Sequence, residues 1–150
     1  MEDKLLPRLH IVATPIGNLG DLSKRAADTL RRADLILAED TRVTGKLLAH
    51  IGAKVRMARY DDHSSEAERR RIVDRLGVEA FALVSDAGTP LIPDPGYKLV
   101  KAAREAGHAV LTVPGPSAAI AALRIAGLPT DRFLFAGFLP AKAKARADAI

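Results

Sequence analysis

The sequence has no cysteine and no tryptophan among its 150 residues, and its aromatic side chains are only four phenylalanines and two tyrosines. Without cysteine, disulfide bonds, thiolate zinc sites and thiol redox chemistry are excluded, and a reducing cytoplasm is the simplest compartment. With so few aromatics, the chain lacks the stacking platform that single-strand nucleic-acid binders use. Recognition of bases by stacking is therefore not indicated.

Metal-binding and membrane patterns are also missing. The four histidines, His10, His50, His63 and His108, are scattered, and no two of them have the i, i+4 spacing that places imidazoles on one helix face. No apolar run approaches the roughly 18 residues that a membrane span requires, and the first residues do not form a secretory signal. We expect a soluble cytoplasmic protein without a metal site.

The composition is that of a globular domain with a basic surface. Hydrophobic residues make up 48% of the chain and charged residues 27%, enough to bury one substantial core. The net charge of +5 favours polyanionic partners, although such values are common among proteins that bind no nucleic acid. The basic residues concentrate in predicted helices, where they are solvated or position phosphates.

Five short apolar runs alternate with segments that are each long enough for one helix. The runs are Leu9–Ala13, Asp34–Ala38, Lys54–Ala58, Ala80–Val84 and Ala109–Val113. Where a run is apolar throughout rather than alternating, as in Ala80–Val84, it indicates a strand covered on both faces. The sequence predicts an α/β fold with a mostly parallel sheet of about five strands and helices on both faces.

Helix boundaries carry their own signals. We expect Asp21 to cap a helix that ends at Arg32, Ser65 and Glu68 to form a capping box, and Asp94–Pro95 to open a later helix. Four glycines stand where a helix typically ends: Gly52, Gly77, Gly107 and Gly127.

The end of the chain is harder to assign. Residues 132–138 predict a sixth extended segment, and the tail 141–150 has the composition of a helix start. We therefore expect an N-terminal α/β domain over residues 1–131 and the start of a second domain over 132–150. A frayed, solvated end is the alternative.

Ligands of open parallel sheets bind beyond the carboxyl ends of the strands, so the loops there are the candidate site. The first loop, Thr14–Asp21, has neither the dinucleotide-binding glycine spacing nor the P-loop lysine, and a tight turn is the alternative to a binding loop. The second, Glu39–Arg42, brings ionisable groups that either bind substrate and accept a proton or form a capped, salt-bridged helix start. The third, Tyr60–Ser64, offers His63 as a base or as an exposed loop residue.

The fourth loop is the most unusual. Residues 84–97 read Val-Ser-Asp-Ala-Gly-Thr-Pro-Leu-Ile-Pro-Asp-Pro-Gly-Tyr, and three prolines and two glycines restrict the backbone. A loop with little freedom loses little entropy on binding, as a preformed small-molecule site requires, and a rigid connector is the alternative. The fifth loop, Pro114–Ala118, places Ser117 just before the next predicted helix.

Several blocks of the sequence, in chain order, resemble the tetrapyrrole methylase superfamily and, within it, the branch that methylates small-subunit ribosomal RNA. They are Val12–Asp21 (VATPIGNLGD), Ala38–Arg42 (AEDTR), Leu83–Pro90 (LVSDAGTP), Asp94–Tyr97 (DPGY), Pro114–Ala118 (PGPSA) and Gly127–Arg132 (GLPTDR). The resemblance covers nearly the whole chain.

The resemblance implies transfer of a methyl group from S-adenosylmethionine (SAM) to the ribose 2′-hydroxyl of a cytidine in the decoding region of small-subunit rRNA. It also implies a cytoplasmic homodimer without a metal, built from two α/β domains with SAM bent in the cleft between them. The cofactor contacts implied are Pro15, Ile16, Ser85, Asp86, Gly88, Thr89, Pro90, Pro114, Gly115, Pro116, Ser117 and Ala118.

The second loop suggests how the hydroxyl is handled. We hypothesise that Glu39 or Asp40 assists the hydroxyl while Arg42 holds a neighbouring phosphate. The family's second domain would begin about where this chain ends, so we expect residues 1–150 alone to bind SAM weakly or not at all and to be inactive. Two alternatives stay open: a methylase of a small tetrapyrrole-like substrate, and a non-enzymatic RNA-associated domain.

Overall fold

The computed structural model describes residues 4–61, 63–92 and 96–150, which divide into two compact units at Ala118–Ala119. The first unit alternates strands and helices. Its elements are β1 (Leu9–Val12), α1 (Lys24–Arg32), β2 (Leu35–Ala38), α2 (Thr41–His50), β3 (Met57–Arg59), α3 (Glu66–Arg75), β4 (Phe81–Val84), α4 (Tyr97–Glu105) and β5 (Val110–Val113). Two further helices follow, α5 (Ala118–Ile125) and α6 (Ala143–Ala149).

The five strands form one sheet in the order β3-β2-β4-β1-β5, and every neighbouring pair is parallel. β4 and β1 lie inside the sheet although they come from distant parts of the chain, with Leu9 opposite Phe81. The predicted α/β class with a five-stranded parallel sheet is confirmed.

The side chains of the sheet alternate between two hydrophobic clusters, one on each face. On β2, Ile36 belongs to a cluster with Leu30 of α1 and Leu48 of α2. The next residue, Leu37, belongs to a cluster with Leu99 of α4, together with Val73 of α3. The helices therefore cover both faces, as right-handed crossovers in both directions require. The apolar composition of the strands follows from this burial on two sides.

Helix boundaries agree with the sequence in part. The capping box is confirmed: Ser65 and Glu68 exchange hydrogen bonds at the start of α3. The expected cap at Asp21 is wrong, because Ser23 caps α1 and Asp21 ends a single 3₁₀ turn, Leu19–Asp21. α4 begins at Tyr97 with Gly96 as its N-cap residue, while Asp94 and Pro95 lie outside the described residues.

The third strand is shorter than expected and lies further along the chain. Met57–Arg59 pairs with β2, whereas the apolar pattern favoured 54–58. Val55 still packs against the core, so its apolar character reports burial without strand pairing. β3 is an edge strand that pairs only with β2, so its hydrophobic pattern is less constrained than that of a central strand.

The second unit consists of α5 beyond Ala118, α6 and the segment between them. Residues 132–138, for which the sequence predicts an extended segment, belong to no strand in the part of the chain that the structure describes. Phe133, Leu134 and Phe138 are exposed. The expected domain boundary at residue 131 stays a prediction. Among the residues that the structure describes, no helix has the length and apolar character to cross a membrane.

Candidate active site

The strand order locates a switch point on the carboxyl edge of the sheet. The connection that leaves β2 leads to β3 on one side, whereas the connection that leaves β4 passes β1 and leads to β5 on the other side. β2 and β4 are neighbours, so the loops diverge between them, and open α/β sheets bind ligands in such a crevice. Glu39 and Asp40 follow β2, and Ser85 and Asp86 follow β4.

A short antiparallel bridge joins the loops that follow β1 and β4. The backbone N–H of Thr14 donates to the carbonyl oxygen of Gly88 at 2.9 Å, and the N–H of Gly88 donates to the carbonyl oxygen of Thr14 at 3.1 Å. Thr14 is buried. Satisfied backbone groups at a buried position hold both loops in one arrangement.

The loop that follows β5 is attached to the same pair of loops. The N–H of Ala13 donates to the carbonyl oxygen of Val113 at 3.1 Å, and the hydroxyl of Thr89 donates to the carbonyl oxygen of Pro116 at 2.9 Å. The structure therefore brings together the three loops that contain the cofactor contacts implied by the family resemblance.

Two glycines allow this close approach. Gly88 has φ +80°, and a Cβ there would lie 3.2 Å from Cγ2 of Ile16. A Cβ at Gly115 would lie 3.0 Å from Cβ of Ala13. A larger residue at either position would push a neighbouring loop aside.

The expected cofactor residues differ in exposure. Ser85, Gly88 and Pro90 are buried, and the hydroxyl of Ser85 donates to the carbonyl oxygen of Ala87 at 3.2 Å. Ile16 and Asp86 are exposed. The others are partly buried (Pro15, Thr89, Pro116 and Ser117) or exposed (Pro114, Gly115 and Ala118). The buried side chains therefore hold the loops in place, whereas the exposed side chains are the ones that a ligand can reach.

The second loop is connected to the fourth through Asp86. Its Oδ1 accepts a hydrogen bond from the backbone N–H of Asp40 at 3.0 Å. The four loops thus form a continuous series along the sheet edge. Asp86 therefore links the loop that follows β2 to the loops that follow β4, β1 and β5.

Asp40 and Arg42 form a capped, salt-bridged helix start. Asp40 is the N-cap residue of α2 and accepts from the backbone N–H of Arg42 at 2.9 Å. Nε and Nη2 of Arg42 donate to Oδ1 and Oδ2 of Asp40 at 3.1 and 2.7 Å. Hydrogen bonds from the Arg42 side chain, above all, hold the pKa of Asp40 well below its usual range. Asp40 is therefore a weak proton acceptor.

A cleft of about 430 Å³ lies at the switch point. It is lined by Glu39, Asp40, Thr41, Arg42, Arg59 and Asp86. Three of the six are carboxylates and two are guanidinium groups, so the cleft can orient a hydroxyl and an anion side by side.

Two residues of this edge are absent from the set predicted from sequence. Thr14 holds the bridge to Gly88, and its signal was a polar residue directly after the first apolar run. Arg59 lines the cleft, but the strand predicted from sequence ends at Ala58, so Arg59 falls outside it.

The third loop contributes less than its sequence suggested. Tyr60 is 3% exposed and belongs to the hydrophobic core. His63 is exposed, and its backbone N–H donates to Oδ1 of Asp61 at 2.9 Å, which closes a local turn. These positions agree with His63 as an exposed loop residue.

The proline-rich fourth loop is described up to Ile92, and Pro93, Asp94 and Pro95 lie outside the described residues. Leu91 has φ +71°, in the left-handed region that leucine rarely adopts. Such strain persists where the surroundings fix the backbone, and it concentrates at functional sites. Leu91 packs against the core cluster that contains Leu83.

Comparison with known proteins agrees with this geometry. Residues 8–149 match the family model described as Tetrapyrrole (Corrin/Porphyrin) Methylases. The chain therefore belongs to the tetrapyrrole methylase family.

Within that family, the chain is similar to proteins named ribosomal RNA small subunit methyltransferase I. It is 60% identical over 141 residues to the one from Xylella fastidiosa, covering 93% of this chain and 52% of that protein. It is 54% identical over 144 residues to the one from Escherichia coli O157:H7, covering 95% of this chain and 50% of that protein. The chain spans about half the length of the curated relatives it matches.

A similar solved structure is uroporphyrin-III-C-methyltransferase from Thermus thermophilus. The TM-score is 0.60 at 26% sequence identity, over 81% of this chain and 52% of that one. The expected fold of a tetrapyrrole methylase is thus confirmed.

The Asp40–Arg42 pair predicts a pH-dependent stability. A carboxylate whose pKa is lowered by folding contributes fully to the free energy of unfolding above the pKa that it has in the unfolded chain, about 3.9. This contribution declines as the pH falls below that value and is lost at the lower pKa of the folded state. Asp40→Asn keeps a good N-cap residue but removes the charge. We expect Asp40→Asn to be less stable than wild type at pH 7 and the difference to shrink at pH 3, measured by urea denaturation.

Arg42→Ala is the matched control, since it removes the same pair from the other side. Like Asp40→Asn, it should gain less stability than wild type between pH 3 and pH 7. The double variant should be only slightly less stable at pH 7 than either single variant. Equal destabilisation by Asp40→Asn at both pH values would show that the pair is not its source.

Proposed function

We propose that this chain is the cofactor-binding part of a SAM-dependent methyltransferase that modifies the ribose 2′-hydroxyl of a cytidine in the decoding region of small-subunit rRNA. The observation that carries the proposal is the set of three loops tied together through Thr14, Gly88, Thr89 and Pro116. The relatives named as ribosomal RNA small subunit methyltransferases support the substrate class. In this proposal the protein acts in the cytoplasm on the ribosomal subunit, as a homodimer.

The residues of the three loops fit SAM. The sequence has no lysine or arginine in residues 13–23, 85–96 or 114–118, whereas Asp86 is acidic and exposed. Carbonyl oxygens and a carboxylate favour a cation, and a pyrophosphate cofactor would require the opposite charge. Ile16 is 37% exposed and would offer an apolar contact to the cofactor. When bound, SAM supplies a methyl group on a positively charged sulfur.

The groups that would hold the cofactor follow from exposure. Asp86, Ile16, Pro114 and Gly115 are accessible on the three loops, while Ser85 and Thr89 hold the loop geometry. Preformed loops keep the methyl acceptor and donor in one orientation without ordering costs at each turnover.

The second loop would handle the ribose hydroxyl. As the oxygen–carbon bond forms, the hydroxyl proton must pass to a carboxylate or to water. Glu39 and Asp40 both line the cleft beside Asp86. The pKa of Asp40, lowered chiefly by the Arg42 side chain, makes Asp40 a poor acceptor of that proton. In the proposal Glu39 is the other candidate, and Arg42, oriented by Asp40, contacts a phosphate.

A small tetrapyrrole substrate is the second candidate, and the likeness to uroporphyrin-III-C-methyltransferase favours it. That likeness is 26% identity, against 60% and 54% for the two relatives named for ribosomal RNA. We therefore place RNA first.

The test of the proposed function is methyl transfer from radiolabelled SAM to small ribosomal subunits that lack the modification. A version of the protein extended to the length of its curated relatives, called the full-length protein below, should label the rRNA at a cytidine. The labelled linkage should resist alkaline cleavage because its 2′-oxygen is methylated. Residues 1–150 alone should give no turnover and weak or no SAM binding in calorimetry. Labelling of a base, or of uroporphyrinogen instead of rRNA, would contradict the proposal.

The role of the second loop is tested by single-turnover rates. Glu39→Gln in the full-length protein should slow methyl transfer by about 10²-fold, the typical contribution of a general base, with unchanged SAM affinity. Asp40→Asn should slow it less, since Asp40 is engaged by Arg42. Methyl transfer unaffected by alanine at Glu39, Asp40 and Arg42 would remove this assignment.

Gly88 offers a test of the loop geometry with a matched control. Gly88 and Gly52 both have positive φ, +80° and +67°, but a Cβ at Gly52 would meet nothing within 4 Å. Each alanine substitution should cost about 1 kcal/mol of unfolding free energy through backbone strain. In the full-length protein, only Gly88→Ala should weaken SAM binding by calorimetry, by about tenfold, because the Ile16 side chain must move. Equal SAM affinity in both variants would argue against a site at these loops.

A further inference from the structure

Two arginines line the cleft at the switch point, and they come from two successive elements of the chain. Arg42 lies in the first turn of α2, and Arg59 is the last residue of β3. Their side chains are 87% and 75% exposed. β2 and β3 are neighbours in the sheet, so both loops emerge on the same side of the crevice.

Each guanidinium group is held by an aspartate two residues away. Arg42 is paired with Asp40, and Nε and Nη2 of Arg59 lie 2.9 and 2.8 Å from Oδ2 of Asp61. An arginine that is already oriented by a carboxylate loses less side-chain entropy when it binds a second anion. The repeated arrangement therefore favours two prepared contacts rather than two solvated charges.

The charges of the cleft are arranged by depth. Glu39 and Asp40 are partly buried, whereas the two arginine side chains are exposed, as is Asp86 beside them. A polyanion is repelled by the carboxylates and attracted by the guanidinium groups at the rim. An RNA strand that presents a ribose hydroxyl to Glu39 would therefore lay its flanking phosphates against the arginines.

We propose that Arg59 is a phosphate-contact residue that, together with Arg42, positions the RNA backbone beside the reacting ribose. This inference rests on the proposed function, because it assumes RNA as the substrate. It adds a contact that the sequence motifs did not indicate. The occupant is the phosphodiester backbone rather than a base, since guanidinium groups at an open rim recognise phosphate geometry without reading sequence.

Arg56, next to the same strand, provides a matched control. It immediately precedes β3, its side chain is 73% exposed, and it is paired with Glu79 at 3.8 Å. Arg56→Ala and Arg59→Ala therefore remove the same charge, with similar exposure, from opposite ends of one strand. Any effect of net charge alone is common to both variants.

The experiment measures binding of the full-length protein to small ribosomal subunits as a function of salt, by filter binding, and methyl transfer separately. Arg59→Ala should weaken binding about tenfold at low salt and lower the salt slope by about one, the value expected for one lost phosphate contact. Arg59→Lys should keep most of the salt slope. Arg56→Ala should bind as wild type, and SAM affinity should be unchanged in all three variants.

Equal effects of Arg56→Ala and Arg59→Ala, or an unchanged salt slope in Arg59→Ala, would overturn the inference. The binding measurement does not require turnover, so it separates the two proposals. Binding that depends on Arg59 without methyl transfer would sustain the contact and refute the activity. Methyl transfer together with binding that does not depend on Arg59 would support the activity and refute the contact. Absence of binding by the wild-type protein would refute both proposals.

Discussion

The backbone bridge between Thr14 and Gly88 is the interaction on which the rest of the candidate site depends. β1 and β4 are parallel neighbours that end at the same edge, and the bridge continues their pairing in the opposite sense after the chain has turned. Only a residue with positive φ fits at position 88, where the loop passes Ile16. Once these loops are joined, the hydroxyl of Thr89 reaches Pro116 and fixes the loop from β5 as well.

The sheet edge is divided by charge. The loops of β1, β4 and β5 carry no lysine or arginine, whereas the loops of β2 and β3 present Arg42 and Arg59. The hydrogen bond from the Asp40 backbone to Asp86 joins the two halves. In the proposed function, this division would let a cationic methyl donor and an anionic RNA strand occupy one edge without competing for the same groups.

The fold was predictable because burial on both faces imposes a simple pattern. Residues 35–38 and 81–84 are apolar at every position, and the structure buries them all. Strand order was not predictable, since β4 inserts between β2 and β1 through contacts distant in sequence. For the same reason the motifs indicated each loop but not the Thr14–Gly88 bridge, nor Arg59, whose place in the cleft depends on β3 lying beside β2.

The engagement of Asp40 by Arg42 bears on the chemistry that the second loop can perform. A carboxylate that caps a helix and binds a guanidinium group gains rigidity and loses basicity, so it orients its neighbours better than it accepts a proton. The proton of a ribose hydroxyl becomes acidic only as its oxygen bonds to carbon. The position of the accepting carboxylate is therefore more important than its basicity. In the proposed reaction, Asp40 fixes the start of α2 and the direction of Arg42, and Glu39, which directly follows the buried strand β2, is the proposed proton acceptor.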